Sequence, residues 1–120
     1  MTDVKATLAQ ARLQQAQADF RNAERSLLLA LEAAAQLYAD PALVAESLQM
    51  LVAFYRQTRQ INEAVAQALW AAELMKKKLG EGAAGLAPVY QTLAELLAED
   101  GQQAESQRYR AQARACAKPA

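Results

Sequence analysis

Glu95 and Glu99 stand four residues apart, a spacing that puts two carboxylates on one face of a helix, where paired acids can hold a divalent metal or exchange a proton. No matching pair accompanies them, and the chain contains no histidine, so the commonest general base and the commonest zinc ligand are both missing. The pair therefore reads as a solvated or ligand-facing acidic patch, with a metal-dependent enzyme using Glu95 and Glu99 as the catalytic alternative. Cys116 is the single cysteine, without a basic neighbour to activate it, and reads as a small residue on a frayed terminal helix. Gly80, Gly82 and Gly85 lack the Lys-Ser/Thr that completes a phosphate-binding loop. Lys76-Lys77-Lys78 reads as a cationic last helical turn set against the negative end of a helix dipole. Neither a catalytic residue nor a cofactor is implied.

The elements that carry these residues follow from composition and punctuation. Alanine supplies a quarter of the 120 residues, with Leu, Gln, Glu and Arg supplying much of the rest, which favours an all-α chain of one domain. Thirteen basic and thirteen acidic side chains cancel and are interspersed, so no field draws nucleic acid or an anionic lipid surface. No apolar run approaches the roughly 18 residues that cross a bilayer. Met1-Thr2-Asp3-Val4-Lys5 lacks the layout of a secretion signal, and the lone cysteine implies a reducing, cytoplasmic setting.

Asp40-Pro41, the glycine-rich segment 80–85, Gly101 and Pro119 are the punctuation, and between them apolar residues return every three or four positions. At a shift of 42, Leu51, Phe54, Tyr55, Gln60 and Glu63 overlay Leu93, Leu96, Leu97, Gln102 and Glu105; at a shift of 41, Ala64, Ala71 and Glu73 overlay Ala23, Ala30 and Glu32. Such periods mark stacked supersecondary units. The units span about 3–38, 42–79 and 86–117, joined to each other at Asp40-Pro41 and by a glycine linker at 80–85. In the central one, a helix from Ala42 to about Thr58 turns at Arg59-Gln60 into a helix from Ile61 to Leu79. The first unit is either a hairpin bent near Asp19-Phe20 or one helix from about Val4 to Tyr38.

The stretch Ala45-Glu46-Ser47-Leu48-Gln49-Met50-Leu51-Val52-Ala53-Phe54-Tyr55, then Arg59-Gln60-Ile61-Asn62-Glu63-Ala64 and Ala71-Ala72-Glu73-Leu74, resembles a tetratricopeptide repeat. Its longer spacing is similar to the 42-residue variety of kinesin light chains. The third unit matches at Leu93, Leu96, Leu97, Gly101 and Glu105; the first matches mainly at Phe20, Ala23, Ala30 and Leu31. Arg59 stands where the family has glycine, and Ser106 where it has alanine. The resemblance implies a right-handed superhelical stack of three antiparallel hairpins, a non-enzymatic scaffold that binds a protein or peptide.

The resemblance also implies a groove lined by the first helix of each unit. Its candidate residues are Lys5, Leu8, Arg12 and Gln15, then Glu46, Gln49, Ala53, Arg56 and Gln57, then Gln91, Glu95 and Glu99. Arg12 or Arg56 is placed to grip a partner's carboxylate. The lysine and asparagine clamp of chaperone-binding relatives is absent, its places holding Leu8, Arg12, Gln49, Ala53, Pro88 and Thr92. The backbone-holding asparagine of kinesin light chains is replaced by Met50 and Thr92. A second surface is suggested by Trp70 and Leu74, which the helical period sets almost opposite the Ile61, Val65, Ala72 and Leu79 stripe. Leu29 occupies the Trp70 position of the first unit. This outer face either packs on a neighbouring unit or serves an interface, and homo-oligomerisation through it is the alternative function.

Overall fold

A computed structural model describes residues 3–117 and contains helices and turns but no strand among them. The Met1-Thr2 end and Pro119 lie outside the described residues. Asp3 begins the first helix by accepting a hydrogen bond from the Ala6 N–H at 3.1 Å, and α1 runs Val4–Ala16. After a short corner α2 runs Phe20–Glu32, so the first unit is a hairpin and not one long helix. Asp40 accepts from the N–H groups of Ala42 and Leu43, and Pro41 takes the first helical position of α3 (Pro41–Gln57). Then come α4 (Ile61–Leu79), α5 (Ala87–Glu99) and α6 (Gln103–Ala117).

The same corner closes all three hairpins. Ala18, Arg59 and Gly101 each take positive φ (59°, 60° and 83°), at the spacings of 41 and 42 residues by which the sequence overlays itself. The following N–H, on Asp19, Gln60 and Gln102, reaches the carbonyl five residues back at 2.8, 2.7 and 2.8 Å. The N–H of the positive-φ residue itself reaches the carbonyl three back at 3.0, 3.2 and 3.1 Å. These are three Schellman closures in one register, each satisfying carbonyls that a helix end leaves without partners.

Junctions between hairpins differ from the sequence expectation. Beyond Glu32 the backbone widens into a π turn over Ala33–Leu37, and the Asp40 N–H reaches back to the Ala34 carbonyl at 3.1 Å. The expected linker at 80–85 is docked: Ala84–Leu86 form a 3₁₀ turn, and a Cβ on Gly85 would lie 2.6 Å from the Pro41 Cβ. Glycine is needed there because the first turn of α3 leaves no room for a side chain.

Each helix packs on the next, and α3 also meets α5. The molecule measures 42 × 34 × 18 Å, its shortest dimension matching two helix layers about 9 Å apart. Leu8, Leu27, Leu31, Leu48, Leu51, Phe54 and Met75 fill the space between them. On α4 the buried residues are Met75 and four alanines, Ala64, Ala68, Ala71 and Ala72, whose small side chains let neighbouring helices approach closely. Tyr55 is buried on α3 and donates its hydroxyl to Glu24 on α2 at 2.6 Å, while Phe54 stacks at an angle on Phe20, 6.3 Å between centroids. The outer side of α6 carries exposed Gln103, Gln107, Arg108, Arg110 and Arg114 and closes that end of the array with polar groups.

Candidate functional site

Because α3 and α5 lie side by side, their outward residues at helical spacing form the two walls of a cleft. It measures about 290 Å³. Gln49 and Arg56 come from α3, Pro88, Gln91, Thr92 and Glu95 from α5, and Val52 forms the floor with only 2% of its surface exposed. Four of the expected groove residues, Gln49, Arg56, Gln91 and Glu95, are thus brought together. Val52, Pro88 and Thr92 complete the cleft without having been assigned to a binding role. Their signal was present in the spacing, since Val52 lies three residues after Gln49 and four before Arg56. Thr92 turns its hydroxyl to the Pro88 carbonyl of its own helix at 3.0 Å, leaving its methyl group as the other substituent on Cβ.

Two ion pairs cross-link the first helices. Lys5 on α1 meets Glu46 on α3 at 2.7 Å. Arg56 on α3 donates from Nε to Glu99 Oε1 at 3.1 Å and from Nη2 to Oε2 at 2.5 Å, a bidentate fork. The Glu99 carboxylate, with a smaller contribution from Glu95, holds the Arg56 guanidinium above its ordinary pKa. Arg56 therefore stands as an internal clasp as well as a cleft wall, and Glu99 is engaged with it. Among the described residues no group of three or more His, Cys, Asp or Glu is placed to hold a metal.

The other expected groove residues lie elsewhere. Leu8 is buried in the core at 2% exposure, so its place on the groove is corrected; with Val4 and Ala11 it forms the inward stripe of α1. Arg12 is exposed and Gln15 half-buried on the same helix, outside the cleft. Ala53 and Gln57 are exposed on α3 and do not line it.

On the second surface, Trp70 and Leu74 are half-buried and packed against the core, while Leu79, assigned to the inward stripe, is 36% exposed. The expected phase of α4 is corrected accordingly: its alanines face inward, and Trp70 is turned partly onto the core. A second cleft of about 380 Å³ opens there, lined by Leu28, Glu32 and Gln36 from the first unit and by Gln67 and Trp70. Leu29 remains 48% exposed.

Lys78 donates to the Gln36 carbonyl at 2.6 Å and so ties the end of α4 to the first unit, while Lys76 lies 3.8 Å from Glu73 within α4 itself. Cys116 is buried at 3%, not frayed, beside Gly82 and Tyr90, and burial pushes its thiol pKa up. None of the described helices is long and apolar enough to cross a membrane. Compared with models of known protein families and with curated proteins, the sequence matches none.

Proposed function

We propose that this chain is a non-enzymatic binding scaffold, a short right-handed stack of three tetratricopeptide-like hairpins that holds an extended segment of a partner protein. The observation that carries the proposal is the cleft between α3 and α5. Its floor and edge, Val52 and Pro88, are apolar, and Gln49 and Gln91 offer side-chain amides that both donate to and accept from a peptide backbone. Charge sets the direction of the ligand. Lys5 and Arg56 are neutralised by Glu46 and Glu99, which leaves Arg12 as the basic group toward the α1 side and Glu95 as the acidic group in the cleft. A segment with a basic residue near Glu95 and an acidic residue toward Arg12 fits this polarity. A reducing, cytoplasmic setting suits the free thiol of Cys116.

The test is a selection of displayed random peptides on the immobilised chain, followed by titration of the selected sequences and mapping by amide chemical shifts. We expect Gln49→Ala combined with Gln91→Ala to weaken binding roughly tenfold, as the loss of two hydrogen-bonding amides predicts. We also expect Glu95→Lys to reverse the preference for basic residues. Selected peptides whose shifts cluster on Trp70 and Leu28, and that ignore the glutamine substitutions, would sink the proposal.

A further inference from the structure

The outward face of α2 carries exposed leucine between an arginine and a glutamate. Its inward residues are Ala23, Leu27, Ala30 and Leu31, and on the opposite side Arg21, Arg25, Leu28, Leu29 and Glu32 share one surface. Leu29 is 48% exposed there, and Leu28 continues the apolar strip to the Trp70 cleft. Arg25 and Glu32 are both exposed and form no ion pair among the described residues, unlike Lys5, Glu46, Arg56 and Glu99 on the first helices. They sit seven residues apart on the same stripe, because seven residues fall only about 20° short of two helical turns. The midpoint between them falls between Leu28 and Leu29.

From this arrangement we infer that the occupant of this face is a second copy of the chain, docked α2 against α2 in antiparallel fashion about a two-fold axis at Leu28-Leu29. Such an axis sets Arg25 of each copy against Glu32 of the other, about 5 Å along the helix on either side of the four central leucines. A parallel pairing would oppose Arg25 to Arg25 and Glu32 to Glu32, so charge selects the antiparallel form. The face is one helix wide with Trp70 at its flank, at the small end of stable interfaces, which makes the dimer weak and concentration-dependent. The cleft between α3 and α5 shares none of these residues, so the dimer presents two open clefts.

Sedimentation equilibrium of the full chain from about 10 μM to about 1 mM, a range that spans weak association, tests this with charge exchange. The natural chain should dimerise, and Arg25→Glu and Glu32→Arg should each weaken self-association roughly tenfold or more, since each sets like charges together twice. Equal mixing of the two single variants should restore a dimer, because every facing pair then has opposite sign, and the double variant R25E/E32R should dimerise alone. Circular dichroism matching the natural chain would confirm that these exposed substitutions leave the fold intact. A natural chain that stays monomeric throughout would overturn the inference. So would a dimer indifferent to either single variant, or single variants that fail to pair on mixing while remaining folded.

Discussion

Arg56 and Glu99 are 43 positions apart in the chain and joined by two hydrogen bonds, so the clasp at one end of the cleft is also a bond between the second and third units. Both side chains are 42% exposed, and an exposed pair of this kind contributes little to stability, about 1 kcal/mol or less. Glu99→Gln should therefore shift the urea midpoint only slightly. Its larger effect should be on recognition: with Arg56 released, peptides bearing a carboxylate at that end should bind more tightly in calorimetric titration. A loss of stability above about 2 kcal/mol would show instead that the clasp holds the two units together.

The three hairpin corners predict opposite effects of one substitution type. Arg59 and Ala18 occupy the left-handed region at a cost of about 1–2 kcal/mol, which glycine avoids at the expense of a more flexible unfolded chain. Arg59→Gly and Ala18→Gly should each raise unfolding free energy by about 0.5–1 kcal/mol, and Gly101→Ala should lower it by about 1 kcal/mol. Denaturant midpoints at unchanged slope provide the measurement. A destabilised Arg59→Gly would mean that the arginine side chain contributes more than its backbone conformation costs.

Ser47 and Ser106 are the buried polar residues of the described chain, and they should respond differently to loss of the hydroxyl. Ser106 donates to the Ala94 carbonyl at 2.8 Å and ties α6 to α5, so Ser106→Ala should cost about 1 kcal/mol. The Ser47 hydroxyl has no partner among the described residues, and Ser47→Ala should be neutral or stabilising by about 1 kcal/mol. Thermal unfolding of the two variants side by side decides the matter; equal losses would contradict it.

Alkaline pH should separate the natural chain from Tyr55→Phe. Burial, reinforced by the neighbouring Glu24 carboxylate, raises the Tyr55 phenol well above its ordinary value of 10.0, and burial raises Tyr90 in the same direction. Well below pH 10 the phenol is protonated whether the chain is folded or not, and stability does not vary with pH through it. As pH rises beyond 10 the unfolded chain ionises first, so stability falls, by at most about 1.4 kcal/mol per pH unit for each group. In Tyr55→Phe the Tyr55 share of this slope should vanish. An identical alkaline profile in both proteins would show that Tyr55 does not control it.

What could be read from the sequence was whatever depends on local chemistry. Asp40-Pro41 and Gly80 bounded α3 and α4 because an acceptor side chain, a fixed φ and a glycine act within a few residues. The corner at Ala18 carried no such mark, which is why the sequence left open a hairpin bent near Asp19-Phe20 or one helix from about Val4 to Tyr38. The family resemblance assigned Gln49, Arg56, Gln91 and Glu95 to one surface but misassigned Leu8, whose burial is decided by the close packing of α1 against α2. The Arg56–Glu99 fork depends on the distance between two helices and on side-chain rotamers, which no periodicity encodes. Trp70 illustrates the same gap: the helical wheel set it almost opposite the inward stripe, and the packing that leaves it half-buried against the core is not written in one helix.

The corners and the junctions of this chain leave very different room for change. Each corner is closed by the same pair of backbone hydrogen bonds, and Ala18, Arg59 and Gly101 are exposed. Side chains at Ala18 and Arg59 should therefore be exchangeable wherever the new residue accepts the positive φ. At the junction between the second and third hairpins, Gly85 meets Pro41 so closely that even one methyl group must displace the start of α3. Variation among natural or engineered versions of this chain should therefore gather at the corners, while the joints between hairpins stay fixed in both length and residue type.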